Sequence, residues 1–263
     1  MMAIKTDHPD RKACLDVCLR LIDKDFDTHV HVLELTSPVG LNVKDLCDKI
    51  PSVLYAFHED HDPDFHLTKW LNYMMDRAST PVVIIPNVDV VMPAKHILEA
   101  VNAVRGGATF VVPYEFTAGW HYMTARFRED FSRDLDWGLL NDPSYCEKVI
   151  PMCGGIYVAD RKVFRGKCGG ENEDMVGYCA SDIERRDRVA MLGYPVREVR
   201  GPAYHLDHWR GVDSTGLNPD GSLTSLSLKM DALLYHLRLE MDRGQWGRWL
   251  QTRPWFLKGQ EQL

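Results

Sequence analysis

Pro81-Val82-Val83-Ile84-Ile85-Pro86-Asn87-Val88-Asp89 is the stretch whose reading decides the fold. Four β-branched residues in a row between two prolines show no polar alternation. That is the pattern of a strand covered on both faces, as in the middle of a parallel sheet. The flanking sequence agrees. Upstream, His29 to Leu35 alternates and reads as a strand, and Asp10 to Asp23 carries a helical stripe of Ala13, Cys14, Val17, Cys18, Leu21 and Ile22. Residues 43–50 read as a short helix, 52–57 as a strand and 65–78 as a helix. Downstream follow a helix over 94–105, the Gly106-Gly107 break and a strand from Thr109 to Pro113. Strand and helix taking turns predict an α/β protein with a mainly parallel central sheet and helices on both faces.

Beyond residue 115 the pattern loosens. Aromatic and charged residues crowd 115–149, with helical spacing over 121–135. A Gly154-Gly155 turn then precedes a strand and a helix start. Gly169 to Asp174 reads as loop, 181–192 as a charged helix and Pro195 to Val199 as a strand. Ser225 to Leu239 reads as an amphipathic helix, followed by a tail containing Trp246, Trp249 and Trp255. One domain over 1–220 with a helical extension over 221–263 packed on it accounts for this order.

Composition removes several classes of function. The 263 residues carry a net charge of −7, which gives no basic excess to offset phosphates and so excludes a general nucleic-acid binder. No apolar run approaches the roughly 20 residues that span a bilayer, so contact with a membrane is limited to peripheral association. The opening residues are too briefly apolar for a signal-peptide core. Seven scattered cysteines without a CxxC pair favour reduced thiols and a cytoplasmic protein over a zinc knuckle or disulfide framework.

Three constellations could carry chemistry. Asn87-Val88-Asp89 closes the buried strand, and ligands of open α/β sheets bind beyond the carboxyl ends of strands. A carboxylate there can hold a divalent cation together with a diphosphate, or simply cap the next turn. His205-Leu206-Asp207-His208 places two imidazoles three residues apart in a loop after the last strand. With one carboxylate they suit Mn²⁺ better than a closed tetrahedral zinc site. Ser181 and Asp182 open a helix, where they serve as N-cap or first-turn residues; a carboxylate so placed can also take a proton from a substrate hydroxyl. The acidic loop His58 to Asp62 reads as a solvated surface.

Taken together these blocks resemble GT-A glycosyltransferases, in particular the galactosyltransferase C-terminal-like group that includes animal β-1,4-galactosyltransferases and bacterial capsule and chondroitin-type polymerases. The resemblance spans roughly residues 2–212. Phe65-His66-Leu67-Thr68-Lys69-Trp70-Leu71-Asn72 is similar to that group's F-N-R-A-K-L-L-N helix, and Asn87-Val88-Asp89 stands where it has D-x-D. Cys153-Gly154-Gly155-Ile156 and Gly177-Tyr178-Cys179-Ala180-Ser181-Asp182-Ile183-Glu184 resemble its G-G-x and G-W-G-G-E-D-D-D segments. His205 and His208 fall at its M-x-x-H. The resemblance implies Asp89, His205 and His208 as ligands of Mn²⁺ or Mg²⁺ and Asp182 as catalytic base. It implies Arg11, Glu34, Lys69, Asn87, Val88 and Gly155 on the nucleotide-sugar donor, and Tyr178 and Ser181 on a glycan or glycoconjugate acceptor. Asn87 for the first Asp of D-x-D, Ser181 for Glu and Leu67 for Arg depart from the pattern. The expected activity is a metal-dependent inverting transfer from a UDP-sugar in surface polysaccharide synthesis. A sugar-phosphate nucleotidyltransferase is disfavoured because no G-x-G-T-R-type loop follows the first strand. A degenerate glycan-binding module is the non-enzymatic alternative.

Overall fold

A computed structural model describes residues 1–62, 64–177, 179–211 and 215–261. The first half follows the expected alternation. Strand β1 (Met2–Lys5) leads into helix α1 (Pro9–Asp25), then β2 (Val30–Leu35), α2 (Lys44–Cys47), β3 (Val53–His58) and α3 (Leu67–Arg77). Pro9 opens α1 at a position where its missing N–H is no loss, and the His8 ring accepts from Asp10 N–H. Strands β1, β2 and β3 form a parallel sheet, with Met2 opposite Val32 and Val32 opposite Tyr55. The buried run is β4 (Val82–Pro86), and the Met1 amino group donates to Ile84 O, bringing the β1 edge beside it.

After β4 come β5 (Val90–Val91), α4 (Ala94–Arg105), β6 (Phe110–Val112) and β7 (Trp120–Met123), then α5 (Ala125–Asp134), β8 (Cys146–Ile150) and β9 (Ile156–Asp160). Helix α6 (Ser181–Met191), β10 (Val196–Glu198) and β11 (Ala203–His205) complete the sheets. The second sheet runs β10-β6-β9-β4, with β9 antiparallel to both its neighbours, and the third runs β5-β11-β7-β8. The α/β architecture is the expected one; its second and third sheets are mixed. The helical spacing over 121–135 holds only from Ala125. Thr124 accepts from Phe127 N–H and starts α5 there, while Trp120–Met123 pairs with β8 and β11 as a strand.

Two large apolar clusters fill the faces of the sheets, one around Trp70, Phe110, Tyr157 and Phe164, the other around Leu15, Val32, Phe127 and Phe131. Toward the chain's end lie α7 (Ser225–Tyr235), continued by a π-helical turn over His236–Glu240, then α8 (Arg243–Leu250) and α9 (Pro254–Gln260). The tryptophan-rich tail therefore forms two helices. Trp246, Leu250, Trp255 and Phe256 pack with Leu237, and Met191 and Leu192 lie against this cluster. The buried Arg165 guanidinium ties the tail inward: it pairs with Asp76 at 2.7 Å and donates to the carbonyls of Gly169 and Trp255.

Candidate metal centre and donor cleft

A cleft of about 450 Å³ opens at the carboxyl ends of β1 and β4, a size in the range of small-molecule sites. Its floor is set by strand register. Strand β5 pairs antiparallel with β11 so that Val90 faces His205, and Leu206 N–H donates to Asp89 O at 2.8 Å. Asp89, one residue before β5, is thereby brought against the histidines of the loop that follows β11. His205 Nε2 lies 3.9 Å and His208 Nε2 3.0 Å from Asp89 Oδ2, and all three residues are buried.

The polarity of these atoms is informative. His208 Nδ1 sits 2.7 Å from the Trp209 carbonyl, which can only accept, so the Nδ1 proton is used there. In a neutral ring that leaves Nε2, which faces Asp89 Oδ2, as the nitrogen able to ligate a cation. Asp89 Oδ1, His205 Nδ1 and His208 Nε2 are buried without a hydrogen-bond partner. Buried orphans of this kind are costly, and a cation among them removes the cost. Burial pushes the His205 imidazole down to about 4, which leaves it neutral, the form that ligates metals. Burial works against the Asp89 charge, yet the histidines and Arg11, 3.8 Å away, outweigh it and hold the carboxyl well below its ordinary range. The three ligand atoms lie within 4.8 Å of one another, and the donor set of one carboxylate and two imidazoles fits a first-row divalent ion such as Mn²⁺.

The surroundings hold this set in place. Trp120 stacks on His205 at 4.9 Å between ring centres and Tyr122 lies at 4.8 Å. Arg210 donates to His205 Nε2 at 3.1 Å, so a cation ligated through that nitrogen would displace the guanidinium. The backbone of the His208 loop is clamped: Trp209 N–H donates to Asp10 Oδ2, Arg128 donates to Asp207 O, and Arg128 pairs with Asp10 at 3.1 Å.

On the same cleft, Ala180 is the N-cap residue of α6, so Ser181 and Asp182 occupy its first turn. Arg185 donates to Asp182 Oδ1 at 2.6 Å and to Glu171 Oε2 at 2.9 Å, and its guanidinium lies over the Tyr157 ring. Gly154 makes room for the Asp182 carboxylate: a Cβ there would stand 2.5 Å from Asp182 Cγ. Gly155, at φ +83°, packs beneath Trp120 and accepts from Asn87 N–H. Arg11, Asn87, Val88, Asp89, Gly155, Ser181, Asp182, His205 and His208 all line the one cleft.

Two expected donor residues do not. Glu34 is buried behind the sheet, where its carboxylate accepts from Val43 N–H and the Tyr55 hydroxyl. Lys69 is exposed on α3, with its ammonium 4.9 Å from the Trp70 ring. Tyr178 lies outside the described residues. Trp120, Gly154, Arg185 and Arg210 were not singled out from the sequence as site residues. The glycine pair and the three-residue spacing of Asp182 and Arg185 on a helix were the available signals.

No family model matches this chain, and no curated protein matches it. Solved structures do. Glucosyl-3-phosphoglycerate synthase from Mycobacterium tuberculosis, in complex with Mn²⁺, UDP and glucosyl-3-phosphoglycerate, superposes with a TM-score of 0.53 at 16% identity, over 89% of this chain and 77% of that one. The same enzyme with Mn²⁺, UDP and phosphoglyceric acid gives 0.51 at 16% identity, over 89% and 75%. The mannosyltransferase PcManGT from Pyrobaculum calidifontis, in complex with GDP-Man and Mn²⁺, gives 0.53 at 17% identity, over 80% of this chain and 56% of that one. The fold is GT-A. Identities this low establish that architecture alone, and within GT-A they do not single out the galactosyltransferase C-terminal-like group.

Proposed function

We propose that this chain is a metal-dependent glycosyltransferase that takes a sugar from a nucleoside diphosphate donor, UDP-linked by the resemblance in sequence, to a hydroxyl of a glycan or glycoconjugate. The observation that carries the reading is the buried trio of Asp89, His205 and His208, with Asp89 Oδ1 and His208 Nε2 unpartnered, at the floor of a cleft where an α/β sheet binds its ligands. Solved GT-A structures holding Mn²⁺ with UDP or GDP-Man support it. The order of the motif blocks supports the galactosyltransferase C-terminal-like grouping.

Asp89, His205 and His208 would hold the divalent cation, which when bound supplies Lewis-acid stabilisation of the charge that grows on a departing diphosphate. Arg11 and Lys5, which also line the cleft, add positive charge to the same wall. Asp182 faces them from α6. There it accepts the proton of the acceptor hydroxyl as the new bond forms, a role open to a carboxylate within hydrogen-bond reach. Arg185, tied to Glu171 and stacked on Tyr157, fixes the Asp182 side chain in one orientation. A single base opposite the leaving group gives one displacement and inversion at the anomeric carbon. Surface polysaccharide synthesis under cytoplasmic conditions is the setting in which we place this reaction.

The 2.6 Å pairing of Asp182 with Arg185 favours a second reading, a module that binds nucleotide sugars without turning them over. Thermal-shift measurements with UDP- and GDP-sugars, with and without Mn²⁺, coupled to an assay for nucleotide release, separate the two. The transferase reading expects a Mn²⁺-dependent shift with one donor class and release of nucleoside diphosphate that Asp182→Asn abolishes. A shift without release supports the binding module, and neither effect with any donor refutes both.

A further inference from the structure

Arg210 belongs to the loop that carries two of the three metal-site residues, five positions after His205 and two after His208. Its guanidinium donates to His205 Nε2 at 3.1 Å and lies 5.7 Å over the Tyr122 ring. A guanidinium can only donate, so Nε2 offers its lone pair and the neutral ring carries its proton on Nδ1. That nitrogen has one lone pair, and it is the one turned to Asp89, 3.9 Å from Oδ2. Arg210 thus selects the tautomer that ligates a cation and occupies the ligand position itself.

Two features decide where a displaced guanidinium goes. Among the described residues no carboxylate pairs with Arg210, although the side chain is half-buried and lines the donor cleft. The loop backbone is held on either side of His208, by Arg128 on Asp207 O and by Asp10 on Trp209 N–H. The Arg210 side chain can therefore swing while His208 stays in place. Charge sets the direction of the swing. Arg11 approaches Asp89 and Arg210 approaches His205, so a dication joining them leaves a buried excess of positive charge. A diphosphate offsets that excess, and a planar guanidinium without a counter-ion suits phosphate oxygens.

We propose that Arg210 and the divalent cation compete for His205 Nε2, and that Arg210, once released, binds the diphosphate of the nucleotide donor. This inference rests on the reading of the trio as a metal centre. Arg210 then couples the two ligands. It opposes the cation when the cation binds alone, because its hydrogen bond to His205 must first break. It favours cation and nucleotide together, because the diphosphate gives the released guanidinium an acceptor. By linkage, nucleotide and cation tighten each other by the same factor.

The test is calorimetry of the full chain with Mn²⁺ alone and with Mn²⁺ at saturating UDP, on wild type, Arg210→Met and Arg210→Lys. Arg210→Met should bind Mn²⁺ alone about tenfold more tightly, the worth of one hydrogen bond to a charged group. Arg210→Lys keeps the charge on a shorter side chain that lacks the fork, so it should tighten Mn²⁺ as well. The factor by which UDP tightens Mn²⁺ should shrink about tenfold in Arg210→Met. Unfolding temperatures equal to wild type in metal-free buffer show that both variants fold. Mn²⁺ affinity unchanged in Arg210→Met overturns the proposal and leaves the metal centre standing. Tightening by Met without tightening by Lys also overturns it, since that is charge repulsion rather than competition for a lone pair. An undiminished UDP effect overturns the transfer of Arg210 to the diphosphate. A wild-type chain that binds no Mn²⁺ overturns the metal centre and this proposal together.

Discussion

Alanine at position 154 would place a methyl group 2.5 Å from Asp182 Cγ, where carbon atoms rest about 3.5–4 Å apart. The carboxylate must therefore retreat by about 1 Å. It is the end of a short, partly exposed side chain, so the fold accommodates the move; what is lost is its 2.6 Å contact with Arg185 and its aim into the cleft. A displacement of about 1 Å at a reacting group costs on the order of 100-fold in rate, whereas complete loss of a general base costs about 10²–10⁴-fold. Gly154→Ala should therefore reduce turnover about 100-fold while leaving Mn²⁺ and donor affinity within about twofold, because the metal ligands are carried by the ends of β5 and β11 and the loop after β11 rather than by α6. Steady-state release of nucleoside diphosphate gives the first quantity and calorimetry the second. Turnover within threefold of wild type would refute the placement of Asp182 as base. A parallel loss of metal binding would show that the Gly154 backbone also supports the metal ligands, through Trp120.

Asp89→Ala should abolish Mn²⁺ binding in calorimetry, since it removes the one carboxylate of the trio. Asp10→Asn and Arg128→Met should each weaken Mn²⁺ about 10- to 100-fold with the three ligands intact, because they clamp the backbone that carries His208; unchanged affinity would remove them from that role. Saturation with Mn²⁺ at about 100 times its Kd should stabilise the fold by about 2.7 kcal/mol in thermal unfolding, an effect Asp89→Ala should eliminate. In the metal-free chain, His205 binds its proton less readily folded than unfolded. Stability should fall as pH drops from 6.5 toward about 4, by about 3 kcal/mol, and flatten below that. His205→Gln should remove that slope in denaturant titrations.

Much of this site could be read before any coordinates, and the reasons are local. Asp89 closes a strand whose unbroken apolar run is unmistakable, and His205 and His208 sit three apart in a short loop. Their convergence was implied by the family resemblance alone; no local pattern reports it, because it depends on β5, a strand of two residues paired antiparallel to β11. Glu34 shows the converse failure. A motif position names a residue but not the face of the strand it occupies, and here the side chain points to Val43 and Tyr55 rather than to the cleft. Trp120 stands one residue before the 121–135 stretch read as a helix, of which only the part from Ala125 is one. Its role as the plane beneath His205 follows from the strand pairing of β7 with β11, a long-range contact that local periodicity does not report.

The Arg165 guanidinium, buried with Asp76 and aimed at the Trp255 carbonyl, has a consequence for any attempt to shorten the molecule. Cutting before Arg243 would strip one acceptor from a cation that water cannot reach and bare the indole-lined hollow that Trp246 now plugs. The last helices thus behave as a keystone rather than an appendage: trimming them should yield insoluble protein, not a smaller catalyst.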